Sequence, residues 1–204
     1  ACRGKKYMKK WFAFLICFFA VSPLAAKPLN GLNELSFKAG KIMSSSADFD
    51  LRRIDGLQST DSQKSSDGFS LKMDYFYYLK KYTGVGIGCN ANFCMKVWEE
   101  NFSTVNYYLQ AKQIIPLNSY KDFNFYVSAG AGYGLVNYFA VYQDYTEKIT
   151  GGLCWIASCG FEYGPYLIEA SYINNNAKFE NNTYWTGDVK FSTVLVTLGY
   201  KFLI

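Results

Sequence analysis

Histidine is absent from the 204-residue sequence, and proline occurs four times. Without histidine, the chain lacks the most common general base and a frequent metal ligand of enzyme sites. The adjacent carboxylates Glu99 and Glu100 fall in a predicted connection between strands, where solvated charges are usual. We therefore expect no catalytic residue, no metal site and no cofactor.

Long apolar runs are also missing beyond the N-terminal region, which excludes a helical membrane protein because a spanning helix needs roughly 20 apolar residues. The N-terminal region itself reads "MKKWFAFLICFFAVSPLAA", with two lysines before an apolar run and small residues after it. This pattern predicts a cleavable signal peptide over residues 1–26, including a short upstream extension, and a mature domain over residues 27–204.

An excess of charge of one sign is absent once the signal peptide is set aside. The predicted signal peptide holds five of the 21 basic residues and none of the 16 acidic ones, so the mature chain carries 16 of each. The excess of basic residues in the full sequence therefore lies in the predicted signal peptide, and we expect no nucleic-acid partner. The mature length suits one domain, and the chain is expected to end with it.

Aromatic residues and glycine are abundant, with 18 Tyr, 17 Phe and 17 Gly, and this composition favours β structure. Apolar residues alternate with small or polar ones in eight strand-sized segments. They cover residues 33–43, 68–79, 82–94, 101–115, 122–139, 147–163, 166–178 and 188–204.

The two faces of these segments differ in a way that bears on the environment of the fold. One face is continuously apolar, whereas the other is rich in Gly, Ser and Asn and has few charges. Small residues suit the crowded interior of a narrow closed barrel better than a solvated surface. We therefore predict an all-β, eight-stranded, antiparallel, up-and-down transmembrane β-barrel. A soluble lipocalin-like barrel with the faces reversed is the alternative.

The connections between segments alternate in length, as in outer-membrane barrels, whose short turns lie in the periplasm. "KK" and "GP" are short connections, whereas residues 44–67 and 175–187 are long and polar. We predict that these two long stretches are extracellular loops that contact a protein or surface partner.

Taken with the signal peptide, "LSFKAGKIM" in the first segment and the final segment "VTLGYKFLI", this layout resembles the eight-stranded outer-membrane β-barrels that include OmpX and the membrane domain of OmpA. The resemblance covers the whole mature chain. It implies an outer-membrane location, contact with outer-membrane lipid, and recognition by the barrel-assembly machinery through the last strand. The residues that carry this signal here are Thr197, Gly199, Tyr200, Phe202 and Ile204.

What the resemblance implies for activity is less specific than what it implies for fold. Lipid A enzymes with barrel folds rely on a catalytic histidine that this chain lacks, so we predict a non-enzymatic protein with a structural or adhesin-like surface role. The alternative is a narrow channel for small or hydrophobic solutes that resembles OmpW.

Charged residues on the predicted inward face are the most informative set. Isolated charges inside a narrow barrel would be very unfavourable, so we expect them to pair in a polar network that plugs the lumen. Its predicted members are Lys38, Lys72, Asp74, Lys112, Glu162, Glu169 and Lys201.

Two further patterns are given structural interpretations. Residues 86–91, "GIGCNA", satisfy a dinucleotide-binding pattern. They lie within an alternating segment, however, and lack the following helix that such a site requires. We therefore interpret these glycines as small residues that face the lumen. The mature chain contains Cys89, Cys94, Cys154 and Cys159, in two pairs offset by an odd number of residues, which places the members of a pair on opposite faces. We expect free thiols.

Overall fold

Ten strands form one antiparallel sheet in the described part of this computed structural model. The structure describes residues 31–53, 55–65, 68–97, 100–117, 123–141, 146–181 and 185–204. The strands are β1 (Asn33–Arg53), β2 (Gln58–Ser65), β3 (Phe69–Lys80), β4 (Thr83–Val97), β5 (Glu100–Pro116), β6 (Phe123–Val141), β7 (Thr146–Thr150), β8 (Gly152–Tyr163), β9 (Tyr166–Asn181) and β10 (Trp185–Leu203).

The sheet closes on itself because β10 pairs with β1, with Phe37 opposite Tyr200 and Lys38 opposite Gly199. Two positions in the barrel wall are each filled by two consecutive strands. Both β2 and β3 pair with β1, and both β7 and β8 pair with β6 and β9. The wall therefore has eight strand positions, and the predicted eight-stranded antiparallel barrel is confirmed.

The N-terminal signal peptide predicted over residues 1–26 lies outside the described residues. Within the described ranges, no helix has the length and apolar character needed to cross a membrane.

The outward-facing side chains form an apolar belt around the barrel. Leu109, Leu153 and Leu198 are 70%, 73% and 65% exposed, and exposure of so many large apolar groups is typical of a surface that faces lipid. The belt consists of the outward residues of β1 up to Met43, of β3, of β4 up to Phe93, of β5 from Val105, of β6 up to Leu135, of β8, of β9 up to Asn174 and of β10 from Val194.

The two ends of the barrel differ in height. At one end, called here the short-turn end, tight turns at residues 81–82 and 164–165 join neighbouring strands. At the other end, β1, β2, β9 and β10 continue well beyond the apolar belt. Outward residues of β1 there are polar, including Asp48 and Asp50, as expected for a wall that has left the membrane.

The prediction of long loops at 44–67 and 175–187 was wrong. Residues 44–53 continue β1, β2 runs back beside them, and a short connection with a left-handed Gly56 (φ 90°) joins the two. Residues 175–181 belong to β9, and β10 already begins at Trp185. The polar composition of these two stretches indicated loops. In the structure, hydrogen bonds to neighbouring strands pair their backbone groups, and the polar side chains face water on the outer side of the strands.

The predicted strand over residues 147–163 is interrupted at Gly151, between β7 and β8. A Cβ atom at this position would lie 2.0 Å from the carbonyl oxygen of Gly134. The close approach of β6 requires glycine here and marks the point where the ladder changes.

Candidate functional site

The interior of the barrel near the short-turn end contains eight buried charged side chains, four lysines and four carboxylates. They separate into two groups along the barrel axis, and each group is electrically neutral. The lower quartet consists of Glu34, Lys112, Glu162 and Lys201. The upper quartet, farther from the short turns, consists of Lys38, Lys72, Asp74 and Glu169.

The lower quartet is a closed ring in which lysines and carboxylates alternate. Lys112 Nζ lies 2.8 Å from Glu34 Oε1 and 2.5 Å from Glu162 Oε1. Lys201 Nζ lies 2.5 Å from Glu162 Oε2 and 3.8 Å from Glu34 Oε2. The four residues come from β1, β5, β8 and β10, so the ring connects strands from all round the wall.

The upper quartet forms a second alternating ring. Lys38 Nζ lies 2.7 Å from Asp74 Oδ2 and 2.5 Å from Glu169 Oε2. Lys72 Nζ lies 2.6 Å from Glu169 Oε1 and 3.6 Å from Asp74 Oδ2. Burial of each ion is offset by two opposite charges at short range, which is the arrangement that a buried charge requires.

Tyrosine hydroxyls and an amide supply further hydrogen bonds to the carboxylates. Tyr78 donates to Glu34 (2.8 Å), Tyr126 donates to Glu169 (2.7 Å), and both Tyr108 and Gln110 donate to Asp74. The aromatic ring of Tyr126 also lies 4.5 Å from Lys112 Nζ, measured to the ring centroid. Tyr126 therefore contacts both quartets and joins them into one network.

Glycines on the inward face make room for these side chains. A Cβ atom at Gly199 would lie 2.5 Å from Lys38 Cγ. At Gly88 it would lie 2.1 Å from the ring of Tyr108 and 2.5 Å from Asp74 Oδ1. The glycines of the small-residue face thus leave space for long side chains that reach across the lumen from other strands.

Above the two quartets, the interior changes from charged to amide-rich and then to apolar. Asn90, Asn106 and Asn175 are linked in a chain, with Asn175 Nδ2 donating to Asn106 Oδ1 (3.1 Å). Beyond them an apolar cluster fills the interior. It contains Ile42, Ala47, Phe49, Met95, Phe102, Val136, Ile149, Ala177, Phe179, Val189 and Phe191.

The structure brings all seven sequence-predicted lumen residues together, and each takes part in one of the two quartets. The sequence interpretation missed Glu34, although two signals pointed to it. Glu34 has the same parity as Ser36 and Lys38 on an alternating strand. Moreover, the seven predicted residues contain four lysines and three carboxylates, so one carboxylate was needed for neutrality.

The residues of the predicted assembly signal occupy the closing strand. Thr197 is buried on the inward face. Tyr200, on the opposite face of the strand, is also buried (3% exposed) and packs edge-on against the ring of Tyr166, 5.7 Å away. Ile204 is 67% exposed, and its backbone exchanges two hydrogen bonds with Asn33. The structure thus places Thr197, Gly199, Tyr200 and Phe202 on the strand that closes the barrel, and Ile204 directly after it. Their recognition by the assembly machinery stays a prediction.

Three cysteines are free thiols, as predicted: Cys89, Cys154 and Cys159. Cys154 is buried and Cys159 is exposed, so this pair divides between the two faces as its odd spacing indicated. The side chain of Cys94 lies outside the described part. Among the described residues, no group of three or more Cys, Asp or Glu side chains is arranged to hold a metal ion.

No family model and no curated protein matches the sequence. Solved structures do match. The chain is similar to the outer membrane protein OprG from Pseudomonas aeruginosa, with a TM-score of 0.55, 15% identity, and coverage of 88% of this chain and 99% of that one. It is also similar to the outer membrane protein AlkL in DMPC lipid bilayers, with a TM-score of 0.56, 14% identity, and coverage of 90% and 96%.

The chain has the fold of the eight-stranded outer-membrane β-barrels. This likeness agrees with the apolar belt and excludes the soluble barrel with reversed faces, because the two charged quartets lie inside the barrel and the belt of large apolar side chains lies outside. At these identities the comparison shows the fold alone.

Proposed function

We propose that this outer-membrane barrel is a closed, non-conducting protein whose role lies at its surface, through the strands that extend beyond the apolar belt. The observation that carries the proposal is the pair of neutral quartets. These eight charged residues are 7% exposed or less and come from six of the strands.

The quartets make an unfavourable path for ions. An entering ion would have to separate lysine and carboxylate groups that already satisfy each other, and an eight-stranded barrel has an interior just wide enough for its own side chains. The apolar cluster above them adds a second layer that gives a permeating ion no hydration.

Planar-bilayer recording of the purified protein tests the closed lumen. We expect no stable, large single channels from the natural sequence. Replacing the upper quartet together, with Lys38→Ser, Lys72→Ser, Asp74→Ser and Glu169→Ser, should introduce measurable conductance because it removes the paired charges without changing the net charge. The exposed pair Lys178→Ser and Glu180→Ser is the control and should stay silent. Large channels from the natural sequence would contradict the proposal.

The surface role is supported by the hairpin of β1 and β2. Residues 58–65 are mostly exposed and polar, and β2 pairs with β1 alone among the described strands. Its other edge therefore offers backbone hydrogen-bonding groups to an extended segment of a partner protein.

Shortening this hairpin tests the surface role. Phe49 and Asp61 are cross-strand partners, so Asn-Gly in place of residues 50–60 should form a tight two-residue turn between them and leave the barrel intact. Cells that display the natural protein should adhere to a surface coated with extracellular-matrix proteins, and the shortened variant should adhere several-fold less. Equal adhesion by the two proteins would contradict a role for the hairpin.

A narrow conduit for hydrophobic solutes is the second candidate, and the apolar cluster in the outer half of the interior favours it. Uptake of a hydrophobic fluorescent dye by cells that express the protein would distinguish the two functions. A conduit requires faster uptake with the natural protein than with empty cells, and still faster uptake after Phe49→Ala and Phe191→Ala. Uptake equal to that of empty cells supports the closed barrel.

A further inference from the structure

Lys41 is the one charged side chain in the apolar belt among the residues that the structure describes. It is exposed on the outer face of β1, between Val196 of β10 and Phe69 of β3 in the sheet register. Ala39 and Met43 flank it on its own strand. No carboxylate within the described ranges forms an ion pair with it, and its side chain is exposed.

The position of Lys41 lets its ammonium group reach the edge of the hydrocarbon layer. It lies two residues from Met43, where the belt ends on this strand, which corresponds to about 7 Å along a strand. A lysine stem covers nearly this distance, and lysines near the ends of membrane segments extend their ammonium groups to the interface.

A β-bulge shapes the surface just above Lys41. The register between β1 and β10 shifts between Ile42 and Ser44, and both Met43 and Ser44 are exposed. Beyond the bulge the outer face is hydroxyl-rich, since Ser46 lies opposite Ser192. Ser192 accepts hydrogen bonds from Tyr172 and Asn174, which leaves its own O–H free to donate.

A second lysine borders the same surface. Lys64 of β2 is exposed and lies opposite Ser46. Asp48 is the acidic residue next along β1 on this face. It accepts a hydrogen bond from Ser62 and lies opposite Lys190 in the sheet register. Among the described residues, this surface therefore has a lysine at each end and serine hydroxyls between them.

We propose that Lys41, Ser44, Ser46 and Lys64 form a binding site for the phosphate-bearing headgroup of an outer-leaflet lipid. The lysines neutralise the phosphate, the serine hydroxyls donate hydrogen bonds to its oxygens, and the acyl chains lie on the belt below, along Met43 and Phe69. The site is at the boundary between belt and polar wall, where a lipid headgroup is located. Because the site borders the lipid-facing belt, its position favours a lipid headgroup over a phosphate ion from solution.

Native mass spectrometry in detergent micelles tests the site, with diphosphoryl lipid A and its dephosphorylated form as probes. We expect the natural protein to bind the diphosphoryl form saturably and the dephosphorylated form more weakly. Lys41→Ala and Lys64→Ala should each weaken binding about fivefold, because a lysine near an anionic lipid surface contributes on the order of a factor of five. Lys41→Arg should retain most of the affinity.

Lys148→Ala is the matched control, because Lys148 is an exposed lysine at the same end of the barrel but on β7, away from β1. It should bind like the natural protein, and heat-modifiable gel migration should show that every variant is folded. Three results would overturn the proposal: equal binding of the two lipid forms, equal loss in Lys148→Ala and Lys41→Ala, or displacement of the lipid by millimolar inorganic phosphate.

Discussion

At the scale of single residues, Glu34 shows how much depends on charge balance inside this barrel. Its carboxylate accepts hydrogen bonds from Lys112 and Tyr78 and completes the lower quartet with no exposed surface of its own. Without it, the quartet would hold two ammonium groups against the single carboxylate of Glu162.

We expect Glu34→Gln to lower the free energy of unfolding by about 3–5 kcal/mol, the usual cost of removing one partner from a buried ion pair. Urea unfolding in detergent micelles, followed by tryptophan fluorescence, measures the change. Adding Lys112→Met to Glu34→Gln should recover part of the loss, because the remaining Glu162 and Lys201 are neutral together. Glu180→Gln, on the exposed face of β9, is the control and should change stability by less than about 0.5 kcal/mol.

At the scale of strands, the two faces of β4 have different steric requirements. Gly88 faces the ring of Tyr108 and the carboxylate of Asp74, whereas Ala91 lies on the outer face next to Leu71 and Val105 in the register. A larger side chain therefore fits on the outer face of β4 but not on its inward face.

Gly88→Val should prevent folding or greatly reduce the folded fraction, because its side chain would overlap Tyr108 and disrupt the hydrogen bond from Tyr108 to Asp74. Ala91→Val adds similar bulk to the same strand and should fold like the natural protein. Heat-modifiable migration after refolding into detergent measures the folded fraction of each. Comparable folding of the two variants would contradict the assigned faces.

The closing strand β10 carries a separate prediction about assembly. Ile204 stands where the resembling barrels usually have a terminal Phe, and its side chain is exposed while its backbone pairs with Asn33. We therefore expect Ile204→Phe to leave insertion into the outer membrane unchanged or improved. The amount of folded barrel in membrane fractions measures the effect, and a clear decrease would show that the last residue has a different role.

At the scale of the whole molecule, closure of the sheet by β1 and β10 removes the exposed edges within the belt. A closed barrel with an internally paired charge network should resist SDS at room temperature and unfold only on heating. Unheated protein should therefore migrate faster than boiled protein on a gel, and recovery of the protein from an aqueous periplasmic fraction would contradict a membrane barrel.

Alternation in the amino-acid sequence determined the fold class and the two faces of the barrel. Successive side chains of a strand point to opposite sides, so the parity of Lys72 and Asp74, or of Thr197 and Gly199, already assigns them to the interior. Small residues on that face indicated a narrow lumen, and an even number of segments allowed the sheet to close.

Only the tertiary structure decided which charges meet and where the strands end. The quartet partners Lys112 and Glu34 are 78 positions apart in the chain, and the register of the closed sheet sets their separation. The strands continue through residues 44–53 and 175–181 because neighbouring strands complete their backbone hydrogen bonds there. Local polarity cannot reveal such pairing, since a strand that has left the membrane has the same polar outer residues as a loop.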